Sequence, residues 1–396
     1  MTADDAVPIT RIECVEFAYP IADMRATGGS GGAAYAPGAT TDRRVFAIRV
    51  ETEGGPTGEY VASNTPPDHA LAQVRTAALE LIGRNALDRE RIWSDLAQSL
   101  RKYDRMGMGP IDIALWDLAG KHRDAPIHEL LGTYRTRLPT YASTHLADDD
   151  GGLDSPAAYA DFAEECLEMG YPAFKIHGWP RDAVDIDREV ATVRAVADRV
   201  GDEMALMLDP ACAYETFADA LRVGKACDEA GFRWYEDPYR DGGLSSHAHR
   251  KLREHLETPI LMGEHVRGLA LQTDLIAAEA TDFVRADPEY DGGITGAMKI
   301  ARVAEGFGLD VEFHAPCPAR RHCMAATRNS NFYEMALVHP ETTCTRYVPA
   351  YEGAYADRLD AIDADGTVPV PEGPGLGVTI DWDYVASHET ERVVLE

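Results

Sequence analysis

The chain has 396 residues and a formal net charge of −29, because 67 Asp and Glu residues outweigh 38 Lys and Arg residues. No basic stripe offsets this charge, so nucleic-acid binding and binding to anionic membranes are excluded as expected functions. Only six of the basic residues are lysine, a bias typical of surfaces that stay hydrated in concentrated salt, and we expect the protein of a halophile.

Cysteine usage and the N-terminus indicate a compartment. The seven cysteines are odd in number, scattered, and form no CxxC pair, which favours a reduced cytoplasm. The N-terminus, MTADDAVPIT, lacks the basic and apolar regions of a signal peptide. No run approaches the ~18 apolar residues that a membrane span needs. We therefore expect a soluble, cytoplasmic protein.

The first part of the chain predicts an α+β domain over residues 1–135. A Gly-rich stretch, ATGGSGGAAYAPGATTDRR (26–44), predicts a loop. The alternating run RVFAIRVETEG (44–54) predicts a strand, and IDIALWDLAGKHR (111–123) predicts a helix.

Residues 136–345 predict an α/β barrel. Short apolar runs alternate with amphipathic helical segments, which is typical of a parallel sheet closed into a barrel. The tail, 346–396, carries turn formers and one predicted strand, GVTIDWD (377–383), and we expect it to pack back on the first domain. The eight predicted barrel strands lie at 138–144, 173–177, 205–209, 233–237, 259–264, 282–287, 310–314 and 333–338.

Ionisable residues stand at the ends of six consecutive predicted strands. Strand side chains alternate with period 2, so Lys175 and His177 leave the same face of one strand. Active sites of βα barrels lie at the C-terminal strand ends, and so many charges facing one mouth are costly unless a metal or substrate compensates. The residues at the following five strand ends are Asp209, Glu236, Glu264, Asp287 and His314.

These residue types predict a metal and a proton carrier. Asp209, Glu236 and Glu264 give three carboxylates without a thiolate, a donor set that favours Mg²⁺ over Zn²⁺. Asp287 and His314 stand on neighbouring strands about 4.8 Å apart. A carboxylate there holds one imidazole nitrogen and leaves the other free as acid or base.

The sequence resembles the mandelate racemase group of the enolase superfamily over nearly its whole length. The resemblance implies a capping domain over a (β/α)7β barrel, Mg²⁺, abstraction of the proton α to a carboxylate, and assembly into homo-oligomers. The matching stretches are MGPIDIALWDLAGKHRDAPIHELLG, GYPAFKIH, LMLDP, WYEDP, LMGEH, RADPEYDGGITGAMKIARVAEGFG, FYE and PGLGVTIDWD.

Roles follow from the resemblance residue by residue. It implies that Asp209, Glu236 and Glu264 hold the metal, and that Asp287 with His314 form the His-Asp dyad of the group. Lys175 resembles the lysine that contacts the substrate carboxylate, and Glu334 the acid that hydrogen-bonds it. The Gly-rich stretch around 26–42 corresponds to a mobile capping loop.

One position departs from the family pattern, which most often has Lys-x-Lys where this chain has Lys175-x-His177. Histidine starts with a pKa near 6.5 and can act as a base without special tuning. His177 either takes the α-proton or binds a hydroxyl. In the second case His314 performs both proton transfers.

The leading hypothesis is dehydration of a sugar acid, an aldonate or aldarate, to a 2-keto-3-deoxy acid. It rests on the dyad and on the loop CPARRHC (317–323), in which Arg320 and Arg321 are candidates for substrate binding. Two alternatives stay open. One is a racemase or epimerase with His177 and His314 on opposite faces of the α-carbon, and the other is a non-catalytic barrel.

Overall fold

A computed structural model describes residues 6–27, 32–342 and 345–396 of the chain. Only the backbone of Arg181 is described. The N-terminal part contains an antiparallel sheet. The sheet order is β13-β1-β2-β3. Its strands are β1 (Ile9–Ala26), β2 (Ala33–Thr52), β3 (Gly58–Ala62) and, from the end of the chain, β13 (Glu389–Leu395).

Most of the Gly-rich stretch is strand, and the prediction of a loop was wrong for 33–44. These residues begin β2 and pair antiparallel with β1, from Ala26 opposite Ala33 to Tyr19 opposite Arg43. Pairing with a distant strand overrides the local turn signal of the glycines, because strand formation depends on the partner strand as well as on local preference. Residues 28–31 of the predicted capping loop lie outside the described residues.

Helices α1 and α3 pack against this sheet, and α2 and α4 pack against α3. The central one, α3, buries most of its residues, and β3 approaches it closely at Gly58, where a Cβ would lie 2.1 Å from the carbonyl oxygen of Ala114. Only glycine permits this contact. The helices are α1 (Pro67–Ala78), α2 (Arg89–Ser99), α3 (Met108–Arg123) and α4 (Ile127–Leu131).

Eight parallel strands alternate with helices and curl into the barrel, which confirms the predicted α/β fold with a (β/α)7β barrel and an N-terminal capping domain. The strand order is β10-β9-β8-β7-β6-β5-β4-β11, and each neighbouring pair is parallel. The strands are β4 (Arg137–Thr144), β5 (Ala173–His177), β6 (Ala205–Asp209), β7 (Trp234–Glu236), β8 (Ile260–Met262), β9 (Phe283–Ala286), β10 (Asp310–Phe313) and β11 (Tyr333–Val338).

The barrel helices follow the strands in turn, and among the described residues none of the helices is long and apolar enough to cross a membrane. Helix α5 has Ser155 as its N-cap, whose side chain accepts a hydrogen bond from the backbone N–H of Ala158. The helices are α5 (Pro156–Met169), α6 (Ile186–Val200), α7 (Phe217–Ala230), α8 (Ser246–Arg253), α9 (Leu269–Ala277), α10 (Gly293–Gly306) and α11 (Pro318–Ala325).

The tail differs from its predicted form. GVTIDWD is not a strand: Ile380 makes a single bridge to Tyr351, and helix α12 (Trp382–Ser387) begins inside the motif. The side chain of Asp381 caps this helix by accepting from the backbone N–H of Tyr384, so an N-cap was mistaken for an alternating polar position. A short strand, β12 (Thr367–Pro369), pairs with β4, and β13 pairs with β1.

Glu289 joins the N-terminal part to the barrel. It follows β9, is fully buried, and its carboxylate accepts hydrogen bonds from β3 and from the segment after it. The donors are the backbone N–H of Thr65 (2.7 Å), Asn64 (3.0 Å) and Ser63 (3.2 Å), together with the hydroxyls of Thr65 (2.6 Å) and Tyr60 (2.7 Å).

Replacing Glu289 with alanine is expected to lower the free energy of unfolding by about 3 kcal/mol or more, because several buried donors lose their acceptor at about 1–3 kcal/mol each. Urea unfolding measures the loss. The matched control is Glu90→Ala, whose exposed side chain pairs with Lys299 on the surface and whose loss should cost no more than about 1 kcal/mol. Equal effects of the two variants would contradict this account of the junction.

Candidate active site

The pairing register of β5 and β6 places predicted site residues of the two strands side by side. His177 on β5 pairs with Asp209 on β6, and Lys175 and His177 both reach the same oxygen, Asp209 Oδ2, at 3.1 Å. The period-2 prediction that these two side chains share a face therefore agrees with the geometry.

Lys175 is the centre of a buried group of carboxylates. Its Nζ lies 3.1 Å from Asp209, 2.9 Å from Glu236 and 3.1 Å from Glu334. Burial opposes the charge of the lysine, but the carboxylates of Glu236 and Glu334 outweigh it and raise the pKa of Lys175 well above its usual value. Lys175 is therefore a buried cation and not a neutral base.

Arg285 is a second buried cation, and the sequence analysis missed it. It lies on β9 and is fully buried, with its Nε 2.7 Å from Glu236 Oε1 and its Nη2 3.7 Å from Glu334. Its sequence position gave a signal for this role. Arg285 lies two residues before Asp287 on one strand, just as Lys175 lies two residues before His177 on another. The same alternation therefore points both inward.

The three predicted metal ligands stand at the ends of β6, β7 and β8, which are neighbouring strands. Each has a nitrogen partner. Asp209 and Glu236 contact Lys175, and Glu264 Oε1 lies 3.4 Å from His314 Nε2. In the described part of the chain, the one group of three His, Cys, Asp or Glu side chains with donor atoms all within 4.8 Å is a different one.

The chemistry of this donor set fits a divalent cation. At formal charges the four carboxylates Asp209, Glu236, Glu264 and Glu334 outnumber Lys175 and Arg285 by two. Their donors are all oxygen, as Mg²⁺ prefers. The effect of this negative charge is visible at the neighbouring Asp237. Burial raises its pKa well above its usual value, and the nearby carboxylates of Glu236, Glu264 and Asp209 raise it further.

Glu334 is ionised in this arrangement. Burial opposes its charge, but Lys175 and Arg285 lower its pKa well below its usual value. It accepts a hydrogen bond of 2.7 Å from the backbone N–H of Ala315. An ionised carboxylate accepts and does not donate. In this structure Glu334 therefore pairs with the two cations, and its hydrogen bond to a substrate carboxylate stays a prediction.

Asp287 and His314 form a close pair at the ends of β9 and β10. His314 Nδ1 lies 2.8 Å from Asp287 Oδ2, and Nε2 faces Glu264. Burial lowers the pKa of His314, but Glu264 and Asp287 outweigh it and raise that pKa above its usual value. Asn64, which the sequence analysis also missed, reaches Asp287 Oδ2 at 3.0 Å from the segment after β3.

His177 is held in a similar way. Its Nδ1 lies 2.7 Å from the backbone carbonyl of Thr144, which can only accept, so Nδ1 carries the hydrogen. Its Nε2 faces Asp209. In both His177 and His314 the Nδ1 atom is fixed by an acceptor and the Nε2 atom points toward the carboxylates.

Arg320 and Arg321, the predicted substrate-binding pair, are engaged elsewhere. Arg320 is fully buried and its Nη2 lies 2.5 Å from Asp287 Oδ1. Arg321 is also buried and donates to Asp357 at 2.6 Å and to the backbone carbonyl of Pro369. Both lie on helix α11 and pair with protein carboxylates in this structure, and their binding of a substrate stays a prediction.

Replacing Lys175 with methionine is expected to destabilise the metal-free protein by about 3–5 kcal/mol, because a buried cation is removed from three carboxylates. Urea unfolding in a chelator measures this. Lys225→Met is the control, since Lys225 is half exposed and pairs with Asp228 on the surface, and its loss should cost less than about 1 kcal/mol. A Lys175 variant as stable as the control would refute the buried-cation account.

Comparisons with known proteins give relatives along most of the chain. It is 28% identical over 371 residues to D-xylonate dehydratase of Haloferax volcanii, covering 88% of this chain and 86% of that protein. It is 28% identical over 355 residues to D-galactarolactone cycloisomerase of Agrobacterium fabrum, covering 86% and 90%. Among solved structures, D-glucarate dehydratase from Agrobacterium tumefaciens complexed with magnesium superposes with a TM-score of 0.83 at 30% identity, covering 97% and 99%.

Two family profiles match the chain. The profile described as "Mandelate racemase / muconate lactonizing enzyme, N-terminal domain" matches residues 33–132, and the one described as "Enolase C-terminal domain-like" matches residues 158–384. Together with the barrel and the charged residues at its strand ends, these matches show that the chain belongs to the mandelate racemase/muconate lactonizing enzyme family of the enolase superfamily.

Proposed function

We propose that this protein is a Mg²⁺-dependent lyase that removes water from a sugar acid, an aldonate or aldarate, and yields a 2-keto-3-deoxy acid. One observation carries the proposal: the Nε2 atoms of His177 and His314 face the carboxylates of Asp209 and Glu264, while their Nδ1 atoms are held by acceptors. The dehydratases among the relatives support the choice of reaction.

Asp209, Glu236 and Glu264 are the residues that would hold the Mg²⁺. When bound, the ion supplies positive charge that stabilises the negative charge left on the substrate carboxylate when the α-proton is removed. Lys175 adds a second positive charge, because Glu236 and Glu334 keep it protonated. A carboxylate substrate therefore meets two positive groups at the place where it would bind.

His177 is assigned the role of base. The carbonyl of Thr144 engages Nδ1, so Nε2 is the nitrogen assigned to take the α-proton. The departure from the Lys-x-Lys pattern thus replaces a lysine base with a histidine base.

His314 is assigned the role of acid. Glu264 and Asp287 raise its pKa, which favours the protonated imidazole needed to donate a proton to the β-hydroxyl. That hydroxyl leaves as water, and the enol that remains becomes the 2-keto-3-deoxy acid. Asp287 orients the ring, and Arg320 and Asn64 in turn hold Asp287.

An isomerase is the second candidate, and the cycloisomerase relative favours it. In that reaction His177 and His314 would act on opposite faces of the α-carbon, and no water would leave. The two reactions differ in product, because only dehydration accumulates an α-keto acid.

Incubation with a panel of aldonates and aldarates, including D-xylonate and D-glucarate, is expected to give an α-keto acid in Mg²⁺ and concentrated KCl. Semicarbazone absorbance detects the product. Chelation should abolish the reaction and Mg²⁺ should restore it. An isomer without keto acid would support the isomerase instead, and an inert protein without any metal requirement would support a non-catalytic barrel.

Substitution of the histidines separates their roles in D₂O with an active substrate. His314→Asn is expected to retain α-proton exchange and lose keto-acid formation by about 10²–10⁴-fold, whereas His177→Asn should lose both. NMR follows exchange and product together. The control is His247→Asn on the exposed face of α8, which should behave as the unmodified protein. Loss of exchange in the His314 variant alone would reverse the assignment.

A further inference from the structure

A second group of metal-binding side chains lies beside the proposed Mg²⁺ site. Cys212, Asp237 and His265 each offer one donor atom, and these atoms all lie within 4.8 Å of one another. They follow β6, β7 and β8, the strands that also supply Asp209, Glu236 and Glu264. Asp237 and His265 are the next residues after Glu236 and Glu264, so the same strand ends supply two donor sets.

Asp237 is the observation that points to a ligand. It is 2% exposed, and neither of its carboxylate oxygens has a hydrogen-bond partner. Buried carboxylates are otherwise almost always hydrogen-bonded or bound to a cation.

The loop after β7 encloses Asp237 without donating a hydrogen bond to its carboxylate. A Cβ on Gly243 would lie 2.5 Å from Asp237 Oδ1, so the backbone comes very near. However, the backbone N–H groups of Gly243 and Ser245 donate hydrogen bonds to the carboxylate of Asp241 and not to that of Asp237. The donors that could have paired with Asp237 are thus committed to another carboxylate.

We propose that Cys212, Asp237 and His265 bind a thiophilic divalent transition-metal ion, for which Zn²⁺ is the best match. Sulfur, imidazole and carboxylate together are typical of zinc sites and unlike the all-oxygen sites of Mg²⁺. Zn–S and Zn–N bonds of about 2.3 and 2.0 Å place donor atoms about 3.3–3.8 Å apart. Small side-chain rotations bring the three donors from their present spacing to that range.

The partial exposure of His265 gives the ion a route of entry and leaves a fourth position for water. Cys212 and Asp237 are already joined through the backbone, because the N–H of Cys212 donates to the carbonyl oxygen of Asp237 at 2.9 Å. An ion at this position ties the loops after β6, β7 and β8 together directly behind the carboxylates of the active site.

Cobalt spectroscopy on the full-length protein tests the proposal independently of any activity. The protein is stripped with a chelator and titrated with Co²⁺ in the presence of excess Mg²⁺. We expect a sulfur-to-cobalt charge-transfer band that saturates at one ion per chain and is displaced by Zn²⁺. The band should persist in Asp209→Asn, which removes a carboxylate of the proposed Mg²⁺ site and none of the three proposed Zn²⁺ ligands.

Variants locate the site. Cys212→Ala should abolish the band, and Cys227→Ala, which removes another buried free cysteine in α7, should leave it unchanged. His265→Ala changes a partly exposed side chain and should weaken Zn²⁺ binding by at least about 100-fold, since changes outside the ligand set already cost about 10–100-fold. No band in the unmodified protein, a band retained in Cys212→Ala, or Zn²⁺ affinity unchanged in His265→Ala would each overturn the proposal.

Discussion

The structure depends on the balance of buried charge at the C-terminal ends of the barrel strands. Lys175 and Arg285 are both enclosed among carboxylates, and Glu236 contacts both of them. Buried ions of one sign are tolerated only with partners of the other. Because two negative charges remain in excess, the same arrangement that stabilises the two cations also favours a divalent cation.

The strand ends that carry these charges also carry strained backbone. Four residues other than glycine have positive φ just beyond them: Ala211 (50°), Cys212 (59°), Asp237 (31°) and Ala315 (61°). Each costs about 1–3 kcal/mol, and such residues cluster at functional sites. The well-packed barrel below holds them, and they direct the backbone N–H groups of Ala211 and Ala315 at Asp209 and Glu334.

The sequence predicted the barrel and the residues at its strand ends because strand alternation and the βα repeat are local patterns. It could not predict side-chain contacts between residues that are far apart in the chain. Asn64 reaches Asp287 from a distant segment, and Arg320 and Arg321 lie on a buried helix face, although charged residues in a turn-like motif suggest solvent. The strand at 33–44 was missed because its formation depends on pairing with β1. Arg285 was predictable from its spacing to Asp287.

The central claim is that Asp209, Glu236 and Glu264 share one divalent ion. A crystal structure of the protein grown with Mn²⁺ in place of Mg²⁺, with anomalous scattering recorded at the manganese edge, tests this directly. The account predicts an anomalous peak between the three carboxylates, with Glu236 turned from Lys175 toward the ion. A structure in which the three carboxylates keep their nitrogen partners and manganese scatters elsewhere or not at all would contradict it.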